Sequence, residues 1–236
     1  MPTPPADRFL EATLVVNVVV HVAAIATMGL CLLPGMPGGP TAEVTDRAAY
    51  VAAHPWAWRL GWVPWHLCAL ADLVMGLALV WPRWIPKVPA LLTLLVTLCA
   101  VVPEQTGEIT WATSGVDLAT RAGDDPTALV EYDALEAWAI RLTVLIGASL
   151  YMVMALGWTW CFVAAGTWSR TLTWVSVATW GSLAVGSVGL LLPAPLRPGD
   201  LIVAVSNGVG FPLLVVWLWL VTLRVRARRI GDKVTR

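Results

Sequence analysis

The chain of 236 residues is 58% hydrophobic and only 13% charged, with zero formal net charge and a mean hydropathy of +0.74. A soluble domain carries about a quarter charged residues, so a soluble globular protein is excluded. The apolar residues fall in long blocks rather than amphipathic stripes, and the expected fold is an all-α polytopic membrane bundle, one unit over residues 1–236.

Residues 1–7 are Pro-rich rather than basic, and the apolar run behind them is too long for a signal-peptide core. The first helix is therefore expected to stay as a signal anchor. A membrane-spanning helix needs about 20 apolar residues. Six runs qualify: 12–33, 57–81, 88–102, 134–162, 172–192 and 201–223. Breakers separate them, among them Pro34-Gly35-Met36-Pro37, Trp81-Pro82-Arg83-Trp84-Ile85-Pro86 and Pro193-Ala194-Pro195. Six spans place both termini on one side. That side collects Arg8, Arg83, Lys87, Arg170 and the tail Arg224, Arg226, Arg228, Arg229, Lys233 and Arg236. By the positive-inside rule both termini are cytoplasmic, and a bacterial inner membrane is the expected location. Two long segments, 34–56 and 103–131, then lie outside. The second is acidic and is expected to fold as an outer loop or cap, with Glu104 and Glu108, four apart, turned inward.

Most of the fifteen tryptophans fall near span ends, where an aromatic belt belongs. Trp62, Trp65, Trp111 and Trp138 sit instead where polar residues gather. Arg141 is placed within the fourth span, where a charge costs about 2.5–3.5 kcal/mol. It is expected to pair with Glu104, Glu108 or Glu136, ahead of Asp72. Small or polar residues mark one face of most spans: Asn17 and His21 in the first, Ser182 and Gly186 in the fifth, Asn207 and Gly210 in the sixth. Packing between helices explains such faces, since small residues and interhelical hydrogen bonds hold bundles together in lipid.

The expected function is binding or processing of an apolar or amphipathic small molecule, lipid, isoprenoid or quinone-like, in an outer-half intramembrane cavity. Arg141, His66, Trp62, Trp65, Trp111 and Trp138 would line it. Glu104, Glu108, Glu136 and Asp72 are the candidates for acid–base chemistry, because a carboxyl beside an aromatic wall suits a general acid. Two alternatives stand beside it. The protein could be a structural accessory subunit, partnering other membrane proteins or a second copy through its small-residue faces. As a minor alternative, His21 and His66 lie at similar depth and could ligate a b-type haem. No other cofactor and no metal is expected. The cysteines Cys31, Cys68, Cys99 and Cys161 form no CxxC and read as small hydrophobes. No span contains a lysine, which excludes a retinal Schiff base. The basic tail directly follows a span, so anionic lipid headgroups rather than nucleic acid account for it.

The stretch Trp58-Arg59-Leu60-Gly61-Trp62, continuing to Ala69-Leu70-Ala71-Asp72-Leu73, resembles a pattern in bacterial six-helix membrane proteins of unknown function. There an Arg-Leu-Gly turn enters the second helix and an Asp follows about a dozen residues later. The order of spans and the Gly166-Thr167-Trp168-Ser169-Arg170 hairpin are similar too. The resemblance implies the architecture and an interest in Asp72. It implies no reaction.

Overall fold

The computed structural model describes residues 5–41 and 43–234, and all its regular elements are helical. Of the basic tail, Arg236 and the side chain of Lys233 lie outside what is described. The helices are α1 (Pro5–Thr27), α2 (Val44–Ala53), α3 (Pro55–Val80), α4 (Lys87–Thr110), α5 (Val116–Arg121), α6 (Pro126–Ile140), α7 (Ala148–Ala164), α8 (Arg170–Gly186) and α9 (Asp200–Val234). Six continuous helical segments are long and apolar enough to cross a membrane. The protein is a multi-pass, all-α membrane bundle.

Two of these segments far exceed a bilayer. α4 runs through a wide turn at Trp111–Gly115 into α5, 35 residues in all, and α6 runs through another at Arg141–Gly147 into α7, 39 residues. At about 1.5 Å per residue they reach roughly 52 and 58 Å, against a hydrocarbon core of about 30 Å. Segment 103–131 is therefore helical rather than a loop: its first residues complete α4 within the bundle, and the rest is a helical hairpin beyond it. It turns at residues 122–125, where the Asp125 carboxylate accepts a hydrogen bond from the Thr127 backbone N–H at 2.8 Å and caps α6. Its polarity is what a helix shows on leaving lipid, and Glu, Gln and Ala are good helix formers once water is available. Segment 34–56 likewise holds a helix. α2 is amphipathic and buries Arg47, Ala48 and Val51 against the protruding hairpin.

Neighbour by neighbour the spans follow the order α1, α3, α4, α7, α8, α9 and back to α1, closing a ring. At the terminal end the closure is ionic. Glu11 of α1 meets Arg226 Nε at 2.7 Å and Arg229 Nε at 2.8 Å, both from α9. On the same end Trp84 donates to Asp7 at 2.9 Å, and the Arg228 guanidinium lies 4.7 Å from the Trp84 ring centre. Both ends of the described chain thus share one basic face. Between α7 and α8, Gly166 takes φ +69°, a left-handed conformation that favours glycine. It lets the Thr167 N–H reach back to the Phe162 carbonyl, while Ser169 caps α8.

Two apolar cores fill the ring. The one nearer the basic face is built from Leu14, Met75, Trp158, Phe162, Trp217 and their neighbours. The outer one centres on Trp58, Trp62 and Trp111, packed ring to ring at 5.4–5.7 Å with Val51, Val116 and Tyr132 around them. Trp58, Trp158 and Trp217 are therefore core residues and not members of the interfacial belt. Trp217 satisfies its N–H on Ser176 at 2.8 Å. Trp56, Trp81, Trp160, Trp174 and Trp219 remain exposed, as belt residues should. The four cysteines are unpaired.

Close helix contact depends on missing side chains. A Cβ at Gly157 of α7 would run into Thr93 of α4, whereas one at Gly181 of α8 would meet nothing within 4 Å. A Gly157→Leu change is expected to destabilise the bundle by about 1–3 kcal/mol through overpacking, and Gly181→Leu to leave it unchanged, measured by thermal unfolding in detergent. A second outcome tests the orientation. Cysteines placed at Thr41 and Ala122, on the end away from the termini, should react in intact cells with a membrane-impermeant maleimide. Reaction of either only after lysis reverses the assigned topology.

Candidate functional site

Between the two apolar cores lies a layer of buried polar side chains contributed by α1, α3, α4 and α7. Their depths follow from helix rise. Counting about 1.5 Å per residue from the ends on the basic face, Asp72 stands roughly 12 Å in, Tyr151 and His66 about 20 Å, Glu104 about 26 Å and Glu108 about 32 Å. The layer thus runs from mid-membrane to the outer boundary.

Four helices place its members. On α4, Glu104 and Glu108 are four apart and share the inward face with Thr93, Thr97 and Trp111. Glu108 is buried, and Glu104 accepts a hydrogen bond from the Tyr151 hydroxyl of α7 at 2.5 Å. On α3, His66 Nδ1 lies 2.9 Å from Gln105 Oε1 and 3.0 Å from Glu108 Oε2. Both neighbours are acceptors, so Nδ1 carries the proton and donates. Gln105 closes the group by donating its amide to Glu108 at 3.3 Å. Two turns deeper on α3, Asp72 is 5% exposed, and its Oδ1 is buried with no hydrogen-bond partner. It lies in electrostatic range of Glu104 and Tyr151. Asn17 of α1 stands at the same level, its amide donating to the Ala71 carbonyl at 3.0 Å and so tying α1 to α3 beside Asp72.

Among the described residues no arginine or lysine pairs with Asp72, Glu104 or Glu108. No group of three His, Cys, Asp or Glu side chains there is arranged to hold a metal ion. The three carboxyl groups therefore satisfy themselves with hydrogen-bond donors, with protons, or with an occupant carrying donors of its own. An isolated carboxylate in an apolar setting is costly enough that it neutralises or finds a partner. Asp72 has the fewest partners of the three.

Other expected members stand elsewhere. Arg141 is exposed at the start of the wide turn between α6 and α7, without an ion pair among the described residues. Its expected pairing with Glu104, Glu108 or Glu136 does not form. Counted back from Ala164, Arg141 stands about 34 Å from the basic face, at the outer edge of a 30 Å core. There its head reaches water and needs no acid. Glu136 is paired instead with Arg47 of α2, which donates to it twice, at 3.0 Å from Nε and 2.5 Å from Nη2. The two side chains are 9% and 4% exposed. The hydrogen bond to Glu136 raises Arg47 further above its usual range. This pair went unrecognised in the sequence, although Val44, Arg47, Ala48 and Val51 share a helical stripe, and an arginine within an apolar stripe points to a buried partner. Trp138 is exposed, while Trp62 and Trp111 interlock in the outer core, so these indoles fill space rather than wall a chamber. Trp65 packs edge-on against Phe211 of α9 at 5.3 Å. His21 and His66 face different partners: His21 Nδ1 lies 2.9 Å from the Asn17 carbonyl, while His66 turns to α4.

No protein-family model matches the chain, and neither a curated protein nor a solved structure matches it. The site is therefore argued from its own geometry.

Removing one member of a dry, paired charge strands the other and costs about 3–5 kcal/mol. Arg47→Ala is expected to lower stability by that amount. Arg141→Ala, at an exposed position without an ion pair, should stay within about 0.5 kcal/mol. Thermal unfolding of the purified variants measures both, and equal effects would contradict the pairing of Glu136 with Arg47.

Proposed function

We propose that this integral membrane protein binds an amphipathic small molecule, lipid-, isoprenoid- or quinone-like, with its polar head at Asp72, Glu104 and Tyr151 and its apolar body among the helices around them. The observation that carries this reading is Asp72, a carboxyl near the middle of a membrane bundle, nine-tenths buried, with one oxygen unpartnered. Ionisable groups at such depth mark functional sites, and ligand sites in bundles combine apolar walls with a few fixed polar groups. The absence of guanidinium or ammonium partners on these three carboxyls, among the described residues, selects a head that donates hydrogen bonds or is positively charged. His66, Gln105 and Glu108 form a hydrogen-bonded group at the outer boundary. With Glu104 and Tyr151 below them they offer proton acceptors and donors along the way to Asp72, so a head that gains or loses a proton on binding suits the site.

A structural role has its own supporting observation. The outer half of α9 exposes Leu201, Ile202, Val205 and Val209 on one face, which suits a membrane partner laid against that helix.

The ligand reading is tested by gentle extraction and native mass spectrometry of the chain with whatever small molecules it retains. A charge-assisted hydrogen bond in a dry site is worth about 1.5–3 kcal/mol, so Asp72→Asn and Glu104→Gln should each lower retention by about 10- to 100-fold. Both amides preserve size. Wild-type protein that retains no molecule beyond bulk lipid, or variants that retain the same molecule at the same occupancy, would refute the reading.

A further inference from the structure

Hydrogen-bond donors and acceptors are unevenly used in the carboxyl layer. Its strong donors are already committed. The Tyr151 hydroxyl donates to Glu104, and His66 Nδ1 faces Glu108 and Gln105. The Gln105 amide donates to Glu108, and the Asn17 amide to the Ala71 carbonyl. The spare atoms beside Asp72 are acceptors. Asp72 Oδ1 has no partner, and neither has Oδ1 of Asn17, a fully buried side chain from a different helix. One spare donor stands apart, the indole N–H of Trp65. It lies seven residues outward from Asp72 on the same face of α3, about 10 Å along the helix. A quinone or ester head carries acceptors alone, and it would add lone pairs where lone pairs already lack partners. The head that suits Asp72 brings protons or positive charge.

The negative groups also converge. The Cys68 thiol of α3 and the Tyr151 hydroxyl of α7 each lie in electrostatic range of Asp72, Glu104 and Glu108. Among the described residues, the titratable groups in range of Asp72 are Cys68 on its own helix, Glu104 on α4 and Tyr151 on α7, with Glu108 next to Glu104. From α1 comes the uncharged Asn17. None of these carries positive charge. A carboxyl in an apolar setting with no cation beside it neutralises by holding a proton.

We infer, resting on the ligand reading above, that the occupant of this site is an amphipathic organic cation and that it binds in exchange for a proton. In the empty protein Asp72 holds its proton as O–H. When the cation arrives, that bond breaks, the carboxylate becomes the counter-charge, and one proton leaves. No covalent bond forms to the cation, and nothing is oxidised or reduced. Glu104, Glu108 and His66 mark the proton's way outward, and His66 keeps a quarter of its side chain exposed. Trp65 and Phe211, ring to ring at 5.3 Å, stand on the outward side of Asp72. Aromatic rings suit both an apolar body and a desolvated cation. Because one proton leaves for each cation bound, affinity rises with pH, by up to about tenfold per pH unit.

The test uses decyltrimethylammonium, a permanent cation with no proton of its own to lose, at micromolar concentration with the full chain in nanodiscs. Equilibrium dialysis against empty nanodiscs counts bound probe, and an indicator dye in weak buffer counts protons. Wild-type protein should bind one cation per chain and release one proton. Asp72→Asn should abolish the proton release, flatten the pH dependence and weaken binding by about tenfold or more, a charge-assisted contact being lost. Arg141→Gln, outside the layer, should change neither count. Decylubiquinone should not displace the cation. Absence of saturable cation binding overturns the proposal, as does binding without proton release or proton release that persists in Asp72→Asn. If Asp72→Asn does not fold, the wild-type proton count decides alone. Retention of decylubiquinone that depends on Asp72, with no binding of the cation, overturns the cation and leaves the ligand site at Asp72 standing, so the two failures are separable.

Discussion

Hydrocarbon does not solvate charge, and the placement of nearly every ionisable side chain in this protein follows from that constraint. Glu11 is anchored by two arginines at the basic face. Glu136 is buried outside the spans' apolar stretch and takes Arg47. Arg141 stands at the outer boundary and turns outward. Among the described residues, Asp72, Glu104 and Glu108 form a layer within the bundle that has no basic partner other than His66. It is held by Tyr151, Gln105 and His66 through neutral or shared hydrogen bonds. A fold that gives Glu11 and Glu136 arginine partners and leaves these three carboxyls without arginine or lysine is spending stability there, a pattern usual at functional sites.

The backbone obeys the same constraint. In lipid each N–H and C=O must be satisfied within its own helix, and buried Thr93 and Thr97 return their hydroxyls to carbonyls four residues back. The wide turns at Met28–Leu32, Trp111–Gly115 and Arg141–Gly147 all fall at the outer ends of spans, where water can take up any slack. Such turns often accompany functional regions. Here they let three spans continue outward and support the indole core above the carboxyl layer. That core of Trp58, Trp62 and Trp111 separates the layer from the outer surface, so access from that side would run past His66, which keeps a quarter of its side chain exposed.

Much of this architecture was legible in the residues. Apolar runs of about 20 residues dictate spans, and an even number of them with a one-sided basic bias dictates that the termini share a face. The close faces at Gly186 and Asn207 were legible for the same reason: small residues have little other use in a membrane helix. In the structure Asn207 fills the space that a side chain at Gly186 would need. Asp72 and His66 stood out as polar residues at membrane depth, and Glu104 and Glu108 as inward-turned acids of the outer segment 103–131, whereas the structure places Glu104 within the span.

What the residues by themselves determined, then, is which segments enter lipid, because transfer from water is a local property of each side chain. What only the tertiary structure decided is partnership. Glu136 lies only five residues before Arg141, yet it pairs with Arg47, 89 positions away. That choice depends on α2 folding over the protruding hairpin, which no local pattern encodes. The extent of α4 and α6 beyond the bilayer was hidden for a related reason. A helix outside lipid needs only water and its own hydrogen bonds, so its polar sequence looks like a loop until its packing partners are known.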